Sequence, residues 1–179
     1  MLNFFGKIAD WLGKLNAAIA RVGCNIAAIL LATIVTIVLA QVFYRYVLND
    51  AFGWSEEVAK VMMVWVTFLV SPWAYRYGAF VSVDMFIEPF SERFRLWLGL
   101  CTNLLVLWAL YVFFIESIDF WQRGKATLAA TLPIELAWFY SIVPISFLAL
   151  IAVGLEVNLR YIMTLVDGEK SYLISEGNS

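Results

Sequence analysis

The sequence predicts an all-α integral membrane protein of four transmembrane helices, preceded by an N-terminal amphipathic interfacial helix. Hydrophobic residues make up 63% of the 179 positions and the mean hydropathy is +0.84, more apolar surface than a soluble domain of this size can hide from water. That apolar character is concentrated in four stretches, residues 22–44, 58–75, 96–115 and 132–155, which carry almost no charge except at their ends. Each approaches the roughly 20 residues with which a helix crosses a hydrocarbon core of about 30 Å. Residues 22–166 therefore form one four-helix membrane domain, with short connections and a polar cytoplasmic tail at 167–179.

Before the first span, Phe4, Ile8, Trp11, Leu15 and Ile19 recur every three to four residues, while Lys7, Lys14 and Arg21 fall seven apart on another face. The pattern fits a helix lying in the headgroup boundary over residues 1–21, and equally a cytoplasmic extension of span one. It has no compact apolar region with a small-residue cleavage site, so no leader is expected to be removed. Trp11, Trp73 and Trp97, with Lys7, Lys14 and Arg21, are the expected membrane and lipid anchors, and Trp54, Trp121 and Trp138 also lie near span ends. Trp65 and Trp108 fall near mid-span, where packing is expected.

The first span ends at Gln41 to Arg45 and the chain turns through Asn49, Asp50 and Gly53. Ser55 is placed to cap the second span, Glu56 and Glu57 to complement its dipole, and Glu56 to pair with Lys60 at i,i+4. Pro72 and Pro144 remove amide donors and free the carbonyls of Phe68 and Tyr140, so kinks are expected at both. Ser91 and Glu92 suit the start of the third span; Thr131, Pro133 and Glu135 suit the start of the fourth.

Basic residues set the orientation. Lys7, Lys14, Arg21, Arg76, Arg93, Arg95, Arg160 and Lys170 are eight of the twelve Lys and Arg residues, and an even number of spans then places both termini in the cytoplasm. The loops at 45–57 and 116–131 face the other side. A net charge of −2 and the lack of a dense basic run give no footing for nucleic acid. Cys24 and Cys101 fall inside spans as small packing residues rather than a disulfide or a thiol-exchange pair.

The chain contains no histidine, which excludes bis-histidine haem ligation and the common imidazole metal sites. None of the four stretches carries a carboxylate near its centre, as a proton-coupled carrier of this size would need. No nucleophile constellation or phosphate loop suggests catalysis, so neither enzyme activity nor a cofactor in this chain is expected. The polar residues within the spans, Asn25, Thr33, Thr36, Gln41, Thr67, Ser71, Thr102, Asn103, Ser141 and Ser146, are expected to hydrogen-bond between helices. A chain of this kind suits the support of another membrane protein. The competing expectation is a self-contained homo-oligomeric transporter or channel, with the kinked second and fourth spans as its pathway.

Arg45-Tyr46-Val47-Leu48-Asn49 followed by Trp54-Ser55-Glu56-Glu57, and Arg76-Tyr77-Gly78 followed by Val83-Asp84, resemble the small (Q-type, DctQ-like) membrane subunit of tripartite ATP-independent periplasmic (TRAP) transporters. The likeness covers nearly the whole chain in span number and spacing. The chain departs from the family pattern at Phe80, where a histidine is common, so no role of that histidine carries over. The resemblance implies a bacterial inner-membrane heterodimer with a much larger, many-helix subunit that carries substrate and sodium ions. It also implies a periplasmic binding protein that delivers a carboxylate-type solute, and a role for this subunit as the fixed scaffold of an elevator-type carrier. Two expectations attach to the loops. Arg45 is expected to pair with Glu56 or Glu57 across the outer hairpin. Asp50, Glu116, Asp119, Arg123 and Lys125 are placed within reach of a docked binding protein, while Arg76, Gly78, Asp84, Arg93 and Arg95 hold the inner loop and lipid headgroups.

Overall fold

A computed structural model describes residues 2–49, 53–78, 91–129, 131 and 133–167. The described residues form five helices: α1 (Leu2–Val47), α2 (Gly53–Gly78), α3 (Glu92–Gly124), a short α4 (Leu136–Tyr140) and α5 (Ile142–Asp167). Four segments are long and apolar enough to cross a membrane, Ala9–Val47, Gly53–Gly78, Arg93–Gly124 and Leu136–Val166, so α4 and α5 together supply the fourth. The amphipathic N-terminal stretch and the first span are one uninterrupted helix of 46 residues, about 69 Å long at 1.5 Å per residue. The observed helices overrun the apolar stretches: the third continues to Gly124 rather than ending at Ile115, and the fourth to Asp167 rather than Leu155. Apolarity marks the part of a helix in hydrocarbon; the backbone hydrogen bonds continue into polar turns beyond it.

The two prolines act differently. At Pro144 the fourth segment is interrupted at Ser141, where Ser141 Oγ donates to the Trp138 carbonyl (2.8 Å) and Trp65 Nε1 donates to the Phe139 carbonyl (3.0 Å). Pro72 leaves α2 a single helix. The Phe68 carbonyl that it frees accepts Ser71 Oγ at 2.9 Å and, from α5, Ser146 Oγ at 3.0 Å. A proline-vacated carbonyl has become a cross-link between helices, one of the ways membrane helices re-satisfy the backbone.

Residues sort between inside and outside by size and polarity rather than by apolarity. Ala9, Ala20, Ala27, Asn16, Ser55, Asn103, Ser117 and Ser146 are buried, whereas Leu31, Leu105, Trp108 and Trp138 are more than half exposed. Lipid tails are as apolar as leucine, so packing and hydrogen bonds, not the hydrophobic effect, draw such helices together. The inner face of α1 follows as Ala9, Gly13, Asn16, Ala20, Gly23, Ala27 and Ile34, a spacing of alternating three and four that keeps small side chains on a neighbouring helix. At Gly23 the approach is so close that a Cβ would stand 2.6 Å from the Leu69 carbonyl oxygen of α2. The α5 helix is the hub, packing on α1, α2 and α3. Val153, Val157 and Tyr161 of α5 join Leu100 of α3, with Tyr75 and Leu96 against them. The Tyr75 hydroxyl bonds to Asn103 Oδ1, and Asn103 Nδ2 donates to the Gly154 carbonyl at 3.1 Å, tying α2, α3 and α5.

Several helix starts differ from expectation. Because α2 begins at Gly53, Ser55 lies buried inside its first turn rather than capping it. Ser91 does sit at the N-cap of α3, without a side-chain cap bond. Glu135 occupies the N-cap of α4, so Thr131 and Pro133 precede the helix. Backbone bonds from Ala129 to Ile134 and from Leu136 to Thr127, both 2.9 Å, close this connection instead. Trp108 is 70% exposed and packs on no interior, and Cys101 also faces outward; both lie on the outer surface of α3.

Gly23→Leu places its branch in the Leu69 carbonyl and is expected to destabilise the protein by about 1–3 kcal/mol through overpacking. Thermal unfolding in detergent checks this, with Leu105→Ala on the outer surface expected to change the midpoint little.

Candidate functional site

The least expected feature of the molecule is a charge cluster where α1, α2 and α5 meet. Glu156 has no solvent exposure, and Arg76 is 7% exposed. Arg76 forms a two-pronged pair with it: Nε donates to Oε2 at 3.2 Å and Nη2 to Oε1 at 3.0 Å. Arg160, one turn along α5, adds Nε to Oε1 at 3.1 Å. From α1, Asn16 Nδ2 donates to Glu156 Oε2 at 2.9 Å and to the Ala152 carbonyl at 3.1 Å. Arg76 Nη2 also reaches the Gly13 carbonyl at 3.2 Å and Nη1 the Tyr77 hydroxyl at 2.9 Å.

Each part follows from local structure. Arg76 sits in the last turn of α2, where the helix dipole favours a cation. Glu156 and Arg160 are i,i+4 neighbours on one face of α5. Gly13 is required because a Cβ there would lie 2.6 Å from Arg160 Nη2 and 2.8 Å from Glu156 Oε1. A carboxylate taken from water into such a place is tolerable only when its lone pairs are occupied, and here three side chains occupy them. An acid held by two guanidiniums is a clamp, not a group positioned to shuttle protons.

Sequence reasoning missed this site. The fourth apolar stretch ends at Leu155, just before Glu156, whereas α5 continues to Asp167; the carboxylate therefore lies inside the protein at the end of the bundle where α2 finishes, rather than in solvent. Arg160 lies within α5, beyond the end of the fourth apolar stretch. Arg76 does not hold the inner loop and lipid headgroups; it turns inward to Glu156, because a buried acid is a stronger partner than a screened surface. The available signal was the pair Glu156 and Arg160 at helical spacing, opposite the small positions Gly13 and Asn16.

At the other end of the bundle, Glu56 pairs with Lys60 at 2.8 Å, both side chains well exposed. Glu57 accepts from the Thr131 amide (2.8 Å) and the Thr131 hydroxyl, fastening the start of α2 to the connection before α4. The expected pairing of Arg45 is therefore replaced: Glu56 is taken by Lys60, one turn away on its own helix, and Arg45 contributes only the least of the influences on it. Asn49 turns the chain with φ of 54°, in the left-handed region that Asn tolerates. Tyr46 and Trp54 are exposed, and Gly78 has open space around it. Glu116, Asp119 and Arg123 are exposed on α3. Lys125 Nζ lies 3.9 Å from the centre of the Trp121 ring, beside a cavity of about 200 Å³ that Glu135 and Trp138 also line. Lys7, Trp11, Lys14, Arg21, Trp73 and Trp97 are all exposed. Asp50, Phe80, Val83, Asp84 and Lys170 lie outside the described residues, as do the side chains of Phe4 and Ile8.

Four segments long and apolar enough to cross a membrane, three of them joined by a buried ion cluster, define a multi-pass membrane protein. The model of the DctQ component of tripartite ATP-independent periplasmic transporters matches residues 34–164, and the chain belongs to that family. The match includes Arg76, Glu156 and Arg160. The chain is 25% identical over 116 residues to the sialic acid TRAP transporter small permease protein SiaQ of Vibrio cholerae, covering 65% of this chain and 67% of that one. It is 23% identical over 141 residues to the ectoine TRAP transporter small permease protein TeaB of Halomonas elongata, covering 76% and 72%. Against the sialic acid TRAP transporter permease protein SiaT of Haemophilus influenzae it is 24% identical over 144 residues, 80% of this chain but only 21% of that one. The chain thus spans about a fifth of that longer relative.

Glu156→Gln and Arg76→Met each break the pair, and each is expected to cost about 3–5 kcal/mol, the first by leaving the buried Arg76 without a counter-charge and the second by leaving the carboxylate to Arg160 and Asn16 alone. The double variant Arg76→Met with Glu156→Gln is expected to be more stable than the sum of the two single losses predicts. A double-mutant cycle from thermal or denaturant unfolding measures the difference; strict additivity contradicts the clamp.

Proposed function

We propose that this chain is the small permease subunit of a sodium-coupled, binding-protein-dependent TRAP transporter importing a small organic acid. It serves as the fixed scaffold against which a large, many-helix subunit moves its solute site as an elevator. The observation that carries the proposal is the clamp on Glu156. It joins three helices through buried charge, the construction expected of a part that stays still while its partner moves. Exposed Trp11, Trp73, Trp97 and Trp138 at the ends of the helices resist vertical displacement. The alignment with a fifth of SiaT supports the larger partner: a homologous segment there is continuous with a much longer permease chain. SiaQ and SiaT are named for sialic acid transport, which supports an organic acid as the solute.

In this scheme sodium and solute bind the large subunit. The location is the bacterial inner membrane, with both termini in the cytoplasm. The opposite end, with Asp50, Glu116, Asp119, Arg123 and Lys125, receives the solute-loaded periplasmic binding protein through mixed charge, which favours fast, salt-sensitive encounter over tight binding.

Affinity purification from native membranes in mild detergent, followed by mass spectrometry, is expected to retain one much larger membrane protein in equal amount. Reconstitution into liposomes is then expected to give organic-acid uptake only with both subunits, the binding protein and an inward sodium gradient. Recovery of this chain alone, with uptake by it alone, overturns the proposal in favour of a homo-oligomeric carrier.

A further inference from the structure

The outer face of α1 carries a polar group that lipid cannot satisfy. Asn25 is exposed, and no described residue hydrogen-bonds its side chain. Its depth follows from its neighbour: Gly23 lies against the Leu69 carbonyl of α2. Leu69 is about 18 Å along the helix axis from Glu57 and about 10 Å from Arg76, at 1.5 Å per residue. Asn25, two residues on, is therefore near mid-membrane. An amide has no partner among acyl chains, and exposing one there costs more than any packing in lipid returns.

The surroundings of Asn25 are built for a helix. Ala18, Arg21, Ala28 and Ala32 lie on the same exposed face, within about two turns of Asn25 and opposite the buried stripe of Asn16, Gly23 and Ala27. Small side chains on an outer face let a second backbone come close enough to hydrogen-bond. The face of α3 around Leu105, Trp108 and Val112 has the reverse character, bulky and apolar, as suits lipid. Arg21, one turn from Asn25 toward the Arg76 end, adds a cation whose complement in a membrane partner is a carboxylate.

We propose that this face of α1 is the seat of a transmembrane helix of the large permease subunit. That helix presents a hydrogen-bonding side chain or an opened backbone carbonyl to Asn25, and an acidic residue to Arg21. The inference rests on the functional reading above. It commits to the large subunit rather than a second copy because the segment aligned with this chain in SiaT makes up only 21% of that permease protein and is continuous with the rest. The contact is distinct from the Glu156 clamp, which faces the other side of α1.

The test is photocrosslinking in membranes of cells that co-express the chain with its large permease subunit. A benzophenone amino acid is placed at Val22 or Ile29, bulky positions bordering the face, and at Leu105 or Trp108 for comparison. Adducts of the chain with the large subunit are expected from Val22 and Ile29 and not from α3. Asn25→Leu, and separately Ala28→Leu, are expected to lower the amount of large subunit recovered about tenfold while leaving the unfolding temperature of the isolated chain unchanged. Adducts from Leu105 or Trp108 instead, an adduct of twice the chain's own mass, or undiminished recovery with Asn25→Leu each overturn the inference while the functional reading stands. Absence of the large subunit from the unsubstituted preparation overturns both.

Discussion

Glu156 is the constraint on which the rest of the bundle depends. A carboxylate with no exposure to water must find its hydrogen bonds inside the protein, and three elements bend their sequences to that need. The last turn of α2 supplies Arg76, and α5 supplies Arg160. The amino-terminal part of α1 supplies Asn16 and gives up a side chain at Gly13. This explains why α1 continues in register so far before its most apolar stretch: its polar end has a structural destination. The cluster also fixes the relative height of three helices, since every partner must arrive at one carboxylate.

Elsewhere the same economy recurs in milder form. Buried seams are made of Tyr75, Asn103 and the Gly154 carbonyl, or of Ser146 and the carbonyl that Pro72 vacates. Without a hydrophobic gain from bringing helices together in lipid, small residues and hydrogen bonds supply the attraction, and large apolar residues turn outward. The chain is fastened at one end by Glu156 and at the other by Glu57 on Thr131.

The number of spans, their rough centres and the turn at Asn49 were legible in the sequence, because uninterrupted apolarity and an Asn, Asp and Gly cluster have direct physical causes. The interruption before Pro144 was legible too. The partner of the carbonyl that Pro72 frees was not, since Ser146 lies 78 residues from Phe68 in sequence. Arg76 and Glu156 are separated by 80 residues, and nothing local distinguishes a guanidinium that meets lipid headgroups from one that turns inward. Arg45 illustrates the converse. Proximity across a hairpin points it to Glu56 or Glu57, but Lys60 competes on the same helix as Glu56, and i,i+4 geometry wins at little entropic cost. The polar residues of the spans divide similarly. Ser146 and Asn103 do link helices, whereas Thr33, Thr36 and Thr67 donate to carbonyls four residues earlier on their own helix.

The central claim is that a single buried carboxylate holds the amino-terminal half of α1 against α2 and α5. Spin labels at Lys7 of α1 and Val166 of α5, with the protein in lipid nanodiscs, give the most direct measurement through the distribution of distances between them. A narrow distribution is predicted for the otherwise native chain, with a broad one for the same labelled pair carrying Glu156→Gln. An equally narrow distribution at an unchanged distance after that substitution would contradict the claim.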